Sequence, residues 1–75
     1  MAVSYKKLFH MMIERDMSNA QLMEQTGFSA NIITRMKRGS YISLESIERI
    51  CRAMRCGVDD ILEFIHDENE EVNNQ

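Results

Sequence analysis

Apolar residues recur at the three-to-four spacing of an α-helix in five separate runs along the chain, and each run is set off by a serine or a glycine. The first run extends from about Ser4 to Arg15. Tyr5, Leu8, Phe9 and Met12 form its stripe, Met11 and Ile13 widen it, and Ser4 can accept from the free amides of the first turn. The second opens with Ser18-Asn19-Ala20-Gln21, a capping box in which the serine hydroxyl takes an early amide and Gln21 reaches back to the Ser18 amide. Ala20, Leu22 and Met23 supply its apolar contacts. It stops near Thr26, where Gly27 admits the positive φ of a sharp turn.

The third run opens at Ser29, a second N-cap candidate, and ends before Gly39. Ile32, Ile33 and Met36 are its apolar positions; Asn31, Thr34, Arg35 and Arg38 fall on other faces. The fourth opens at Ser43, with Leu44, Ile47, Ile50, Cys51 and Met54 as a buried stripe. Glu45 and Glu48 complement the helix dipole, and Arg52 follows Glu48 at i+4. Arg49, Arg52 and Arg55 are expected to face solvent. The fifth run is short. Gly57 stands in for a side-chain cap, Asp59 and Asp60 lie at the N-terminal end, and Val58, Ile61, Leu62 and Ile65 line one face. The pattern thus predicts an all-α domain of five helices over residues 1–66. Residues 67–75, with Val72 as their one strongly apolar residue, are expected to be a disordered acidic tail.

Composition narrows the function classes. Seventy-five residues form one domain. A chain this short buries only about 60% of its unfolded surface, which leaves little room for a deep catalytic cleft. No nucleophile–base pair, glycine-rich phosphate loop or metal-ligand cluster is visible, so neither an enzyme nor a cofactor is expected. There is no proline and only three glycines, which disfavours an all-β fold. With no apolar run of about 18 residues and no signal-peptide pattern, the expected location is the cytoplasm. Cys51 and Cys56, five apart, are expected on different sides of a helix as two free thiols, Cys51 at an apolar position and Cys56 just before a turn.

The charge is unevenly placed. Residues 1–56 hold nine bases against five acids, a balance of +4; residues 57–75 hold seven acids and no base, −7; the chain total is −3. A basic binding face with an acidic segment elsewhere fits this distribution.

The joint between the second and third runs carries the functional reading. Two short helices flanking Thr26-Gly27-Phe28-Ser29 make a helix-turn-helix candidate. The small Ala20 is expected to let the helices cross closely, Phe28 to cover the turn, and Ile32 and Ile33 to anchor the second helix from behind.

The series Asn19-Ala20-x-Leu22, Thr26-Gly27-Phe28-Ser29, Ile33-x-x-Met36 and Gly39 resembles the DNA-binding domain of Cro and the phage repressors, the XRE-type helix-turn-helix family. The likeness continues through Leu44-x-x-Ile47-x-x-Ile50-Cys51-x-x-Met54 and Val58-Asp59-Asp60-Ile61-Leu62, roughly residues 4–65 in all. It is most similar to the short stand-alone bacterial regulators of that family. It departs from the pattern at Asp16, where a glycine often ends the first helix, and at Arg55, where Gly, Asn or Asp usually ends the fourth.

The resemblance implies a transcriptional regulator binding double-stranded DNA, with the helix at about 29–38 in the major groove and the second helix across the backbone. By position in the family motif, Ala30, Asn31, Thr34 and Arg35 would face the bases. Arg35 suits guanine O6 and N7, Asn31 suits adenine N6 and N7, and Ala30 can only pack on a thymine methyl. Ser18, Asn19, Ser29, Lys37, Arg38 and Ser40 would meet the DNA backbone. If about four phosphates are neutralised per subunit, log K should fall with log salt at a slope near −3.6. A homodimer is expected, on half-sites roughly 34 Å apart. The first helix's wide stripe and the face around Phe64 are its candidate surfaces. The alternative is an antitoxin or antirepressor whose acidic tail binds a basic protein partner.

Overall fold

The computed structural model describes residues 2–66. In chain order these are strand β1 (Ala2–Ser4), helices α1 (Lys6–Glu14), α2 (Asn19–Thr26), α3 (Ala30–Lys37) and α4 (Leu44–Met54), a 3-10 turn (Val58–Asp60) and strand β2 (Glu63–Ile65). The expectation of five helices is therefore corrected to four helices and a two-stranded sheet. The acidic tail expected over residues 67–75 lies outside the described residues.

The four helices arise where the local signals put them. Ser18 accepts the Gln21 amide at 3.1 Å, and the Ser18 amide donates to Gln21 Oε1 at 2.8 Å, so both halves of the capping box form. Gly27 closes α2 at φ 80°. Ser43 caps α4 by accepting from the Ser46 amide at 3.1 Å. Ser29 occupies the N-cap position of α3, but its side chain makes no capping bond. Asp16 and Arg55 both adopt the left-handed conformation, at φ 55° and 56°, so the two departures from the family pattern carry the strain a glycine would avoid.

Both ends of the chain depart from the helical expectation. Ser4 does not begin a helix. It ends β1, and its Oγ accepts the Lys6 amide at 3.3 Å from just outside α1. At the other end, the Gly57 amide donates to the Asp60 carboxylate at 3.0 Å, which tightens the chain into a single 3-10 turn. The backbone then extends, because β1 offers it an edge. Ala2 pairs with Ile65, Val3 with Phe64 and Ser4 with Glu63, in antiparallel register. Pairing about sixty residues apart leaves no mark on local periodicity, and β-branched or aromatic side chains on both strands suit it. Ile65 and Val58 are consequently half exposed instead of lining a helix face.

The core joins α1, α2, α3, α4 and Ile61. Leu8, Leu22, Met36, Ile50, Met54 and Ile61 are essentially inaccessible. α2 packs on both α3 and α4. Phe28 is buried over the turn, as expected. Ala20, however, is exposed; the close seat of α2 is made by Leu22, Thr26 and the partly buried Met23. Leu44 is also corrected: it is 83% exposed, because the first residue of α4 points outward beyond the packed stripe of Ile47, Ile50 and Met54. Ile13 is exposed on the outer side of α1.

Two arginines join distant helix ends. Arg15 Nη1 donates to the Met54 carbonyl at 2.8 Å, satisfying a free acceptor at the C-terminus of α4. Arg49, expected to be free in solvent, donates to the Thr26 carbonyl at 3.4 Å while pairing with Glu45 at 3.3 Å. Cys51 and Cys56 are free, but they are not on different sides of a helix. Arg55 reverses the chain, and the Cys56 amide donates to the Cys51 carbonyl at 3.0 Å. Burial pushes both thiols above their ordinary range, and the Asp60 carboxylate adds to this in each case.

Candidate nucleic-acid interface

α3 is held from one side only. Ile33 and Met36 are buried and Ile32 is partly buried, whereas Ala30, Asn31, Thr34, Arg35, Lys37 and Arg38 are all exposed. Helical spacing places Ala30, Asn31, Thr34 and Arg35 along one outward stripe. No acid occurs between Glu24 and Glu45, so the stripe and the turn after it carry three bases without a counter-charge in that segment.

The stripe has its own internal bonds. Thr34 Oγ1 donates to the Ala30 carbonyl at 3.2 Å, so the hydroxyl presents its lone pairs outward as an acceptor. Arg35 Nη2 donates to the Tyr41 carbonyl at 2.8 Å. A guanidinium carries five N–H donors, so this bond fixes the orientation of the group and leaves donors available.

Of the residues expected at the DNA backbone, Ser18 and Asn19 sit at the start of α2, Ser18 exposed and Asn19 half-buried. The capping box uses Ser18 Oγ as an acceptor and leaves its proton to donate. Ser29 is exposed at the start of α3. Lys37 and Arg38 are exposed at its end. Ser40 is half-buried and pinned, its amide donating to the Arg35 carbonyl at 2.9 Å and its carbonyl accepting from Tyr5 Oη at 2.8 Å. Burial pushes the Tyr5 phenol above its ordinary value, partly offset by the Ile42 backbone amide. The start of α2 and the surface of α3 are joined through the turn Gly27–Ser29, and Gly39 follows at φ 79°.

One basic residue escaped the sequence reading. Lys6 lines a cleft with Lys37 and Arg38, where the start of α1 and β1 meet the end of α3. It is 31 residues from Lys37, and only the docking of β1 beside Gly39 brings it there.

This arrangement agrees with the comparison to known sequences. The pattern of the Cro/C1-type helix-turn-helix DNA-binding domain matches residues 7–67. The chain belongs to the Cro/C1-type family. It is therefore a helix-turn-helix DNA-binding transcriptional regulator, of a family that is not enzymatic. The chain is 36% identical over 61 residues to the uncharacterized HTH-type transcriptional regulator YozG of Bacillus subtilis (strain 168), a match spanning 79% of this chain and 73% of that one. It is also similar to the crystal structure of the transcriptional regulator VanUg, with a TM-score of 0.82, 32% identity and 88% of each chain covered. α2, the Gly27 turn and α3 lie within the matched residues and have the arrangement of two short helices joined by a tight turn. Among the described residues, no helix is long and apolar enough to cross a membrane.

Proposed function

We propose that this Cro/C1-type domain regulates transcription by reading a specific two-fold site in double-stranded DNA, as a homodimer with one α3 in each of two major-groove segments. Arg35 and Asn31 supply the bidentate base contacts, to guanine and adenine respectively. Thr34 accepts from a base-edge amine, and Ala30 packs on a thymine methyl. Ser18, Asn19, Ser29, Lys37, Arg38 and Ser40 hold phosphates and set the register, and Lys6 joins Lys37 and Arg38 in that task.

The observation that supports this most is the one-sided burial of α3. Its apolar positions are anchored in the core, and its outward stripe is polar, basic and free of acids. The bond from Arg35 to Tyr41 adds support, because a guanidinium already oriented loses less freedom when it meets a base.

The test is selection from a randomised duplex pool at two salt concentrations, with wild type beside Arg35→Ala and Lys37→Ala. Wild type should enrich a two-fold sequence. Arg35→Ala should relax one position per half-site, at a cost of about 1–3 kcal/mol. Lys37→Ala should weaken every sequence alike and reduce the salt slope by about one. Enrichment of nothing at low salt would remove α3 as a reading element and turn attention to a protein partner.

A further inference from the structure

A cleft of about 270 Å³ opens where β1 and the start of α1 meet the end of α3. Part of its lining is apolar, with Val3 and Met36 buried and Phe9 partly buried. Lys6, Lys37 and Arg38 line it too, and all three are exposed. Among the described residues the ion pairs are Lys7 with Glu63, Arg49 with Glu45 and Arg52 with Glu48, and none takes up a cation of this cleft. Ile65, the last residue of β2, borders the same cleft, and its pairing with Ala2 fixes where the chain leaves the sheet.

The residues that follow are acidic. Asp67, Glu68, Glu70 and Glu71 bring four carboxylates close together, with no base in residues 67–75. All but the first lie beyond the stretch that matches the family pattern, residues 7–67.

We propose that residues 67–71 of this chain occupy the cleft of their own subunit and compete there with DNA phosphate. The proposal rests on the DNA reading above, because it takes Lys6, Lys37 and Arg38 as phosphate holders.

Three observations select this occupant. The charges are complementary: three cations unpaired by any described acid stand at the border from which four carboxylates continue. The reach is right. An extended chain advances about 3.3 Å per residue, so the four acids lie within roughly 7–20 Å of chain from Ile65, itself part of the lining. The tether also favours the chain's own segment over any free anion, since a short connection gives an effective concentration of about millimolar. Exposed ion pairs of this kind are individually weak and screened by salt, so the segment yields to a duplex instead of excluding it. Phosphates carry no sequence information, so the competition lowers affinity for all sequences alike and leaves the selected sequence unchanged.

The experiment compares the wild-type full chain with a variant carrying Asp67→Asn, Glu68→Gln, Glu70→Gln and Glu71→Gln together. These positions follow the last strand, and an unchanged circular dichroism spectrum and unfolding midpoint check that the fold is kept. Without DNA, amide chemical shifts at low salt should differ between the two proteins chiefly at Lys6, Lys37, Arg38 and Gly39. The differences should be the same at about 50 μM and about 1 mM, as for a contact within one chain. With a random-sequence duplex, the variant should bind about five- to tenfold more tightly at low salt, an advantage that closes near 0.5 M salt. In a Lys6→Gln, Lys37→Gln background the same four substitutions should gain at most about twofold, because the segment has lost its partners. Equal gains in both backgrounds would mean that bulk charge alone is at work and would overturn the proposal. So would shifts spread over other surfaces, shifts that fade on dilution and so place the segment on a second copy, or unchanged affinity in the variant. A duplex bound by neither protein removes the DNA reading and the competition with it, whereas the DNA-free amide shifts decide separately whether the segment occupies the cleft.

Discussion

Gly39 and Gly27 form a matched pair on which the geometry around α3 can be tested. Both have a positive φ, 79° and 80°, so an alanine at either site meets the same backbone strain. That strain is roughly 1–2 kcal/mol, partly offset by the lower entropy of the unfolded chain, for a net loss near 1 kcal/mol. Their surroundings differ. A Cβ at Gly27 meets only the tip of Arg49, at 3.7 Å, an ordinary contact with a flexible group. A Cβ at Gly39 lies 2.9 Å from the Val3 carbonyl oxygen, and that carbonyl belongs to a strand held by its pairing with β2. Relieving the clash must shift β1 or the turn after α3, which adds about 1–2 kcal/mol. Gly39→Ala should therefore cost about 2–3 kcal/mol and Gly27→Ala about 1 kcal/mol. For a domain this small, with a urea m-value near 1 kcal/mol/M, the unfolding midpoints should fall by about 2–3 M and about 1 M. Urea titration followed by far-ultraviolet circular dichroism measures both. Asparagine separates the two causes, since it tolerates positive φ but keeps a Cβ: Gly27→Asn should recover most of its loss and Gly39→Asn little. Equal midpoints for the two alanine variants, or full recovery by Gly39→Asn, would show that the Val3 carbonyl does not constrain this turn.

The remaining expectations concern caps and titrating groups. Ser18→Ala should cost about 1 kcal/mol in unfolding free energy, and combining it with Gln21→Ala should cost less than the separate losses together, because the two side chains complete one box. Arg55→Gly should raise the urea midpoint by about 0.5–1 kcal/mol equivalent by relieving a left-handed residue; a fall would mean the arginine side chain contributes more than its backbone costs. Cys51 and Cys56, both raised, should alkylate slowly at neutral pH in the native state and quickly in urea. Tyr5 is raised as well. A group raised on folding keeps its full stabilising effect below its unfolded pKa and loses it as pH climbs through the folded value. Native stability should therefore decline from about pH 8.5 upward, with a further loss above about pH 10. A stability that holds constant or rises through that range would contradict both burial arguments.

The local signals in the sequence determined the four helices and their joint. Ser18 with Gln21, Ser43, Gly27 and the apolar spacing of Leu8, Leu22, Ile33 and Ile50 act within a few residues of each other, so they operate before any tertiary contact exists. The outward stripe of α3 follows from the same spacing, because burying Ile33 and Met36 leaves Asn31, Thr34 and Arg35 on the other side. The tertiary structure alone decided what depends on distant partners. Val3 and Phe64 pair across the length of the chain and turn the expected fifth helix into a strand. Leu44 fits the apolar period of α4 yet is 83% exposed, at the rim of a groove it borders with Val58 and Phe64. Cys56 meets Cys51 because Arg55 reverses the chain. Lys6 joins Lys37 and Arg38 because β1 lies against Gly39. Periodicity reports which face of a segment is apolar. What covers that face, and which polar groups meet across the gaps, is settled by packing between elements far apart in sequence.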